Sequence, residues 1–227
     1  MDKTREALRW FEKTFGPAVS AACEGTPFTV DFFAALAFQE SYDVWGGLFQ
    51  NPKLSTDRIL ELCCGDTLDA PKRSTTAFPT NRADLLKDPN GAALFAVARA
   101  ALEDVGTVNA TFHRIAVANP NKFFHAFGIF QYDIQFAKDD PDFFLKRKWL
   151  SFDECLKKAM GEMKDALRRT YGKGKTSLTD TEMAYVAIAY NKGSANLKGS
   201  LKQGYKDDAG LYYGEAFFKY LAIAHTL

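Results

Sequence analysis

Seven consecutive apolar residues, Phe32-Phe33-Ala34-Ala35-Leu36-Ala37-Phe38, end two positions before a glutamate, Glu40. A run this apolar must be buried, yet it is far short of the roughly 20 residues that cross a bilayer. Phe33, Leu36, Ala37 and Glu40 recur at helical spacing, so the stretch reads as a core helix from about Phe28 to Tyr42, with the carboxylate at the edge of its apolar stripe. The same period governs the rest of the chain. Leu8, Phe11 and Phe15 predict a first helix over Thr4 to Phe15, with Gly16-Pro17 as its stop. Ala93, Leu94, Val97, Ala98 and Ala101 predict another from about Asn90 to Asp104, after a shorter one at Thr56 to Leu62. Ser151-Phe152-Asp153-Glu154 and Thr179-Asp180-Thr181-Glu182 have the form of capping boxes. They open helices that run to about Tyr171 and to the pair Tyr190-Asn191, with Gly193 placed to end the second. A last helix covers about Leu211 to Ala224. Pro71 to Thr76 and Gly172 to Lys175 read as loops. Alternating strand patterns are scarce, so the fold class is predicted to be mainly α.

Charge excludes some partners. The 29 basic and 28 acidic residues leave a formal net charge of +1, which gives no support to a nucleic-acid footprint; attraction to an anionic surface would have to be local. No run approaches membrane-spanning length, and Met1 to Arg5 lead into an amphipathic segment without the apolar core of a signal peptide. His113, His125 and His225 are too dispersed for a metal motif, so no metal ligand set is assigned, and His125 beside Phe124 and Phe127 reads as a packed ring. Cys23, Cys63, Cys64 and Cys155 form neither a CxxC pair nor a regular framework. Buried thiols are the favoured reading, with a bridge from Cys23 or Cys155 left open. Most of the 20 phenylalanines, in pairs such as Phe32-Phe33, Phe123-Phe124, Phe143-Phe144 and Phe217-Phe218, are expected in the core, and the sequence does not separate these from any that line a binding groove.

Two further motifs follow Glu40-Ser41 in chain order. One is Gly128-Ile129-Phe130-Gln131-Tyr132-Asp133, and the other is Ala189-Tyr190-Asn191-Lys192-Gly193. A glutamate, a glutamine turn and a Tyr-Asn helix end in this order resemble the framework of goose-type lysozymes and soluble lytic transglycosylases. The middle motif is similar to their Gly-Leu-Met-Gln-Val-Asp, and the last to Ala-Tyr-Asn-Ala-Gly with Lys192 in place of a small residue. The resemblance covers about 28–45, 123–136, 150–197 and 211–224. It leaves out the middle block, about Gly46 to Asn119. Gln131 follows Glu40 by 91 positions, far more than the family's usual connection and too many for a structureless loop, so 46–119 is expected to be a helical insertion in a single lysozyme-like domain spanning 1–227.

Cleaving a glycosidic bond needs an acid still protonated near neutral pH, and burial beside Phe33, Leu36 and Ala37 would raise the Glu40 carboxyl for that task. Its bland alternative is a helix-end glutamate in water. The resemblance implies that Glu40 is the general acid of an enzyme acting on peptidoglycan glycan strands, at the β-1,4 link between N-acetylmuramic acid and N-acetylglucosamine. It implies substrate contacts for Gln131, Tyr190 and Asn191, and a Tyr near the glutamate for which Tyr213 is the candidate. Asp133 would be the second carboxylate that inverting hydrolysis places roughly 6.5 to 9.5 Å from the acid to activate water; a turn-capping role is equally open. Transglycosylases manage with the glutamate alone and let the sugar's own 6-hydroxyl attack. Asp43, Asp66 and Asp69 are further carboxylates that the sequence does not place. No cofactor is required. A chitinase-like activity and a non-catalytic wall-binding module are the rival readings. With no signal peptide visible, action in the periplasm or on the cell wall implies a longer chain or delivery as a phage lysis protein or secreted effector, with any immunity partner unassigned.

Overall fold

A computed structural model describes residues 2–67, 78–207 and 210–227. Asp69 and the connection Pro71 to Thr76 lie outside the described residues. Among the described residues the chain forms ten α-helices, two short 3-10 helices and one three-stranded sheet, and is mainly helical as the periodicity predicts. No helix among them is long and apolar enough to cross a membrane. Two compact units divide the chain: residues 1–42 with 156–227, and residues 43–155. The expected insertion 46–119 lies within the second unit. That unit also takes in the glutamine turn, because a strand before the turn pairs with one inside the middle block.

The first unit is helical. Helix α1 (Lys3–Cys23) runs through Gly16-Pro17 instead of stopping there. Ala7, Leu8, Phe11, Phe15, Val19 and Cys23 are its buried face, and the last two extend the stripe of the first three in phase. Burying Val19 and Cys23 on those extra two turns offsets the roughly 3 kcal/mol that an interior proline costs. Helix α2 (Val30–Trp45) carries the apolar run, all seven residues of which are buried. Phe32 meets Phe28 at 4.9 Å and Phe217 at 5.1 Å between ring centroids. Ser41 is 3% exposed, and its hydroxyl donates to the Ala37 carbonyl one turn back, which lets a polar residue occupy a buried position.

Three more helices belong to this unit: α8 (Phe152–Tyr171), whose first turn begins in the second unit, α9 (Asp180–Lys192) and α10 (Tyr213–Ala224). Helix α9 starts at the anticipated capping box, with Thr179 Oγ1 accepting from Glu182 N and Glu182 Oε2 accepting from Thr179 N, and ends at Gly193 with φ +86. It packs on α10, which also meets α1. His225, just past α10, lies between the first turns of two helices, with Nδ1 2.5 Å from Asp31 of α2 and Nε2 3.2 Å from Asp180 of α9. Partial burial disfavours the imidazolium, but the two carboxylates outweigh it and hold the His225 pKa above its usual value. Nearby Glu12 of α1 is raised by burial and by Asp31.

The second unit surrounds an antiparallel sheet in the order β1 (Cys64–Thr67), β2 (Phe124–Phe127), β3 (Tyr132–Asp133). All four residues of β2 are buried, so both faces are covered and no alternation marks the strand in the sequence. Helix α5 (Gly91–Gly106) buries Leu94 and Ala98 of its predicted stripe, together with Leu102 and Val105, which the stripe did not include, while Ala93 is exposed and Val97 and Ala101 are only half-buried; it packs on α6 (Ala110–Ala118), α7 (Pro141–Leu145) and β2. A bidentate pair joins α3 (Thr56–Glu61) to α5: Arg58 donates to both Asp104 oxygens at 2.6 and 2.7 Å. Arg99 of α5 donates to the carbonyls of Ala116, Asn119 and Lys122, capping α6 and fixing the approach to β2.

Two stability measurements check these assignments. Thr179→Ala removes the α9 cap and should cost about 1 kcal/mol in urea denaturation. Because the folded value of His225 lies above its unfolded one near 6.5, its clamp stabilises fully below that pH and fades as pH rises through the raised value. Wild type should therefore exceed His225→Gln in thermal midpoint at mildly acidic pH, with the gap closing as the solution is made alkaline.

Candidate active site

Within the first unit, α2 brings Glu40 to a half-buried position two residues past the apolar run. Tyr213 opens α10, is 4% exposed, and donates its hydroxyl to Glu40 Oε1 from 173 positions away in the chain. Burial first, and then the charge of Glu40 and its hydrogen bond, push the Tyr213 phenol well above its ordinary range; Tyr190 acts in the same direction. A phenol so placed stays neutral at any physiological pH and can only donate to the carboxylate.

Tyr190 and Asn191 lie in the last turn of α9, which packs against α10. The Asn191 side chain serves the backbone of the loop between these helices: its Oδ1 accepts from Tyr205 N at 3.1 Å. Tyr213 N donates in turn to Tyr205 O at 2.7 Å. Gly204, at φ +85, makes this approach feasible, since a Cβ there would fall 2.7 Å from Tyr213 Cβ and 2.9 Å from Asn191 Oδ1. Asn191, Gly204, Tyr205, Tyr213 and Glu40 thus form one connected chain of contacts.

The second unit holds Gln131 and Asp133. Residues Gly128 to Gln131 are the turn between β2 and β3, with Gly128 at φ +79 and Gln131 at φ +55. The Gln131 amide folds back under the turn, donating to Gly128 O at 2.7 Å and Cys63 O at 3.4 Å, while its oxygen lies so close to Gly65 that a Cβ there would be 2.5 Å away. It sews the turn to the start of β1. Asp133 caps the 3-10 helix η1 (Ile134–Lys138) by accepting from Gln135 N at 2.7 Å through Oδ1, and its Oδ2 lies 2.7 Å from His125 Nδ1. The turn-capping alternative for Asp133 thus has its hydrogen bond, and an unforeseen histidine partner beside it. His125 is 3% exposed, a packed ring, and its Nε2 is buried with no partner among the described residues.

The remaining sequence candidates are placed as follows. Asp43 is exposed, and Asp66 stands at φ +49 in β1. All four cysteines are free and buried; burial raises Cys23 to about 11 and Cys155 to about 12, and lifts Cys63 and Cys64 as well. Such thiols are poor nucleophiles. Among the described residues no three His, Cys, Asp or Glu side chains converge to hold a metal ion. A surface cavity of about 420 Å³ in the second unit is lined by Asn81, Arg82, Ala83, Leu86 and Asn121, none of them a sequence candidate.

Searches against family models, curated proteins and solved structures return no match. Sequence reasoning did not pick out the Asp133–His125 pair or Gly204. The first had a signal in the spacing, since both residues flank the one short glutamine turn; the second had none, because only the approach of Tyr213 to Asn191 makes that glycine necessary.

Gln131→Ala would leave two carbonyls without their donor and should cost about 1–3 kcal/mol by urea denaturation. Gln131→Glu, of the same shape, should be worse, because it turns a carboxylate oxygen toward those carbonyls.

Proposed function

We propose that the chain is a peptidoglycan-cleaving glycosidase of lysozyme-like type, acting on the β-1,4 link between N-acetylmuramic acid and N-acetylglucosamine with Glu40 as general acid. One observation carries the reading. Glu40 and Tyr213, the latter offered by the resemblance as a tyrosine near the glutamate, share a hydrogen bond in which a buried neutral phenol donates to the carboxylate. An acid that gives its proton to a leaving oxygen is left as an anion, and a fixed donor already aimed at the carboxylate, at Glu40 Oε1, stabilises the charge as it develops. Tyr190, near enough to act on the same phenol, and Asn191, which orders the loop leading to Tyr213, support the site without carrying the proton.

A hydrolytic version needs a group that activates water, the role that the motif resemblance implies for Asp133. A second reading is favoured by the partners of Asp133: with one oxygen on Gln135 N and the other on His125, its first task is to hold the turn. The lone glutamate then suits attack by the muramic acid 6-hydroxyl, which leaves a 1,6-anhydro end and needs no second carboxylate. Mass spectrometry of fragments from purified peptidoglycan separates the two, with reducing ends expected for hydrolysis and anhydro ends for transglycosylation.

Glu40→Gln keeps the shape and removes the transferable proton, so fragment release should fall by at least about 100-fold with the fold intact. Near wild-type release by that variant would end the proposal. Tyr213→Phe removes one hydrogen bond to a charged group and should lower kcat by about 10- to 100-fold.

A further inference from the structure

The loop from α9 to α10 holds a feature that the proposed chemistry does not use. Tyr205 is 67% exposed, the highest exposure of any aromatic residue among the large hydrophobic side chains left open to solvent, and Leu197 on the same loop is 43% exposed. An aromatic ring left in water on a floppy loop would be unremarkable. This one is held: its N–H is bonded to Asn191 Oδ1, its carbonyl to Tyr213 N, and the preceding Gly204 is wedged between those two residues. Two further braces shape the loop, where Gln203 accepts from Asn196 N and donates to the Asn196 and Ser200 carbonyls, and Tyr185 donates to Gly199 O at 2.6 Å. The ring is therefore presented on a backbone bonded directly to the residue that grips Glu40.

Charge points the same way. From Lys192 to Lys206 the sequence holds four lysines and no acidic residue, with Asp207 and Asp208 following at once, so the basic stretch ends at Lys206, in a chain whose net charge is only +1. Lys192, Lys198, Lys202 and Lys206 are all exposed, the last with its ammonium 5.3 Å from the Tyr212 ring centroid.

We infer that loop 192–206 is a docking surface for an anionic glycan strand, with the exposed face of Tyr205 stacking on a sugar ring and the surrounding lysines meeting the carboxylates of muramic acid and its peptide stems. This rests on the glycosidase reading and narrows it: the surface suits peptidoglycan over chitin, whose N-acetylglucosamine polymer carries no carboxylate. An apolar ring face matches the C–H face of a pyranose, and rigid presentation lowers the ordering cost of binding. Lysines spread along a loop give long-range, salt-sensitive attraction and not a single fixed contact.

The test uses full-length protein and purified sacculi. In a Glu40→Gln background, where sacculi stay intact, cosedimentation should show Tyr205→Ala weakened about tenfold and Tyr205→Phe unchanged, because stacking needs the ring and not the hydroxyl. Lys198→Gln with Lys202→Gln should weaken binding at low salt and flatten its salt dependence, and chitin should be bound more weakly than sacculi by the unsubstituted loop. In the active protein, Tyr205→Ala should raise KM with little change in kcat. Wild-type binding by Tyr205→Ala, an equal defect in Tyr205→Phe, or tighter binding to chitin would overturn the inference. The two levels fail differently: fragment release with an unaltered KM in Tyr205→Ala removes the docking surface alone, whereas no fragment release by wild type removes the glycosidase reading and this surface with it.

Discussion

A buried phenol that donates to a half-buried carboxylate is the interaction on which the first unit is organised. Burial holds the Tyr213 phenol well above its ordinary range, and its hydroxyl donates to Glu40. Keeping that bond demands that the start of α10 be held to the end of α2. The packing of α9 and α1 on α10 supplies the bulk of this, through buried apolar side chains. The loop supplies the rest, through the Tyr205 backbone, whose N–H donates to Asn191 Oδ1 and whose carbonyl accepts from Tyr213 N. Disturbing any link in this series moves the donor relative to the carboxylate, which is why Gly204, far from Glu40 in sequence, belongs to the same arrangement.

The second unit is built on different physics. A strand covered on both faces, β2, is flanked by β1 and β3, and the side chains of Gln131 and Asp133 at the turn between β2 and β3 are occupied locally, although His125 Nε2 is buried without a partner among the described residues. Gln131 satisfies the carbonyls of Gly128 and Cys63; Asp133 satisfies the Gln135 amide in the first turn of η1 and meets the buried His125. Buried polar groups left without partners cost more than most apolar contacts return, so a turn this tight needs side chains of this kind at these positions. Residues that a motif-based reading assigns to substrate therefore have a sufficient structural reason to be there.

Particular elements show how far the sequence could be read. Helix α9 was legible to its ends, because a capping box and a terminal glycine are local signals that need no tertiary help. The burial of the apolar run in α2 was legible from the sequence, whereas the stripe read for α5 caught Leu94 and Ala98 but took in the exposed Ala93 and left out the buried Leu102 and Val105. Pro17 misled, since the local rule that proline stops a helix yields to the burial of Val19 and Cys23 on the same stripe. Strand β2 was invisible, since burial on both sides erases alternation, and the reach of the second unit past Asn119 depended on that unseen pairing of Cys64 with Phe127. At the site, Glu40, Tyr190 and Tyr213 could be singled out as types in an order, but not the bond between two of them.

The amino-acid sequence by itself determined a mainly helical chain, which faces of its helices are apolar, where several of them begin and end, and that Glu40 stands at the rim of an apolar stripe. These follow from periodicity and capping, which act over a few residues. Only the tertiary structure decided that Tyr213 meets Glu40, that Gln131 and Asp133 spend their hydrogen bonds on their own turn, and that Tyr205 is fixed while its ring stays in solvent. Each of those outcomes depends on groups far apart in the chain, whose approach is set by the packing of whole elements and leaves no local mark.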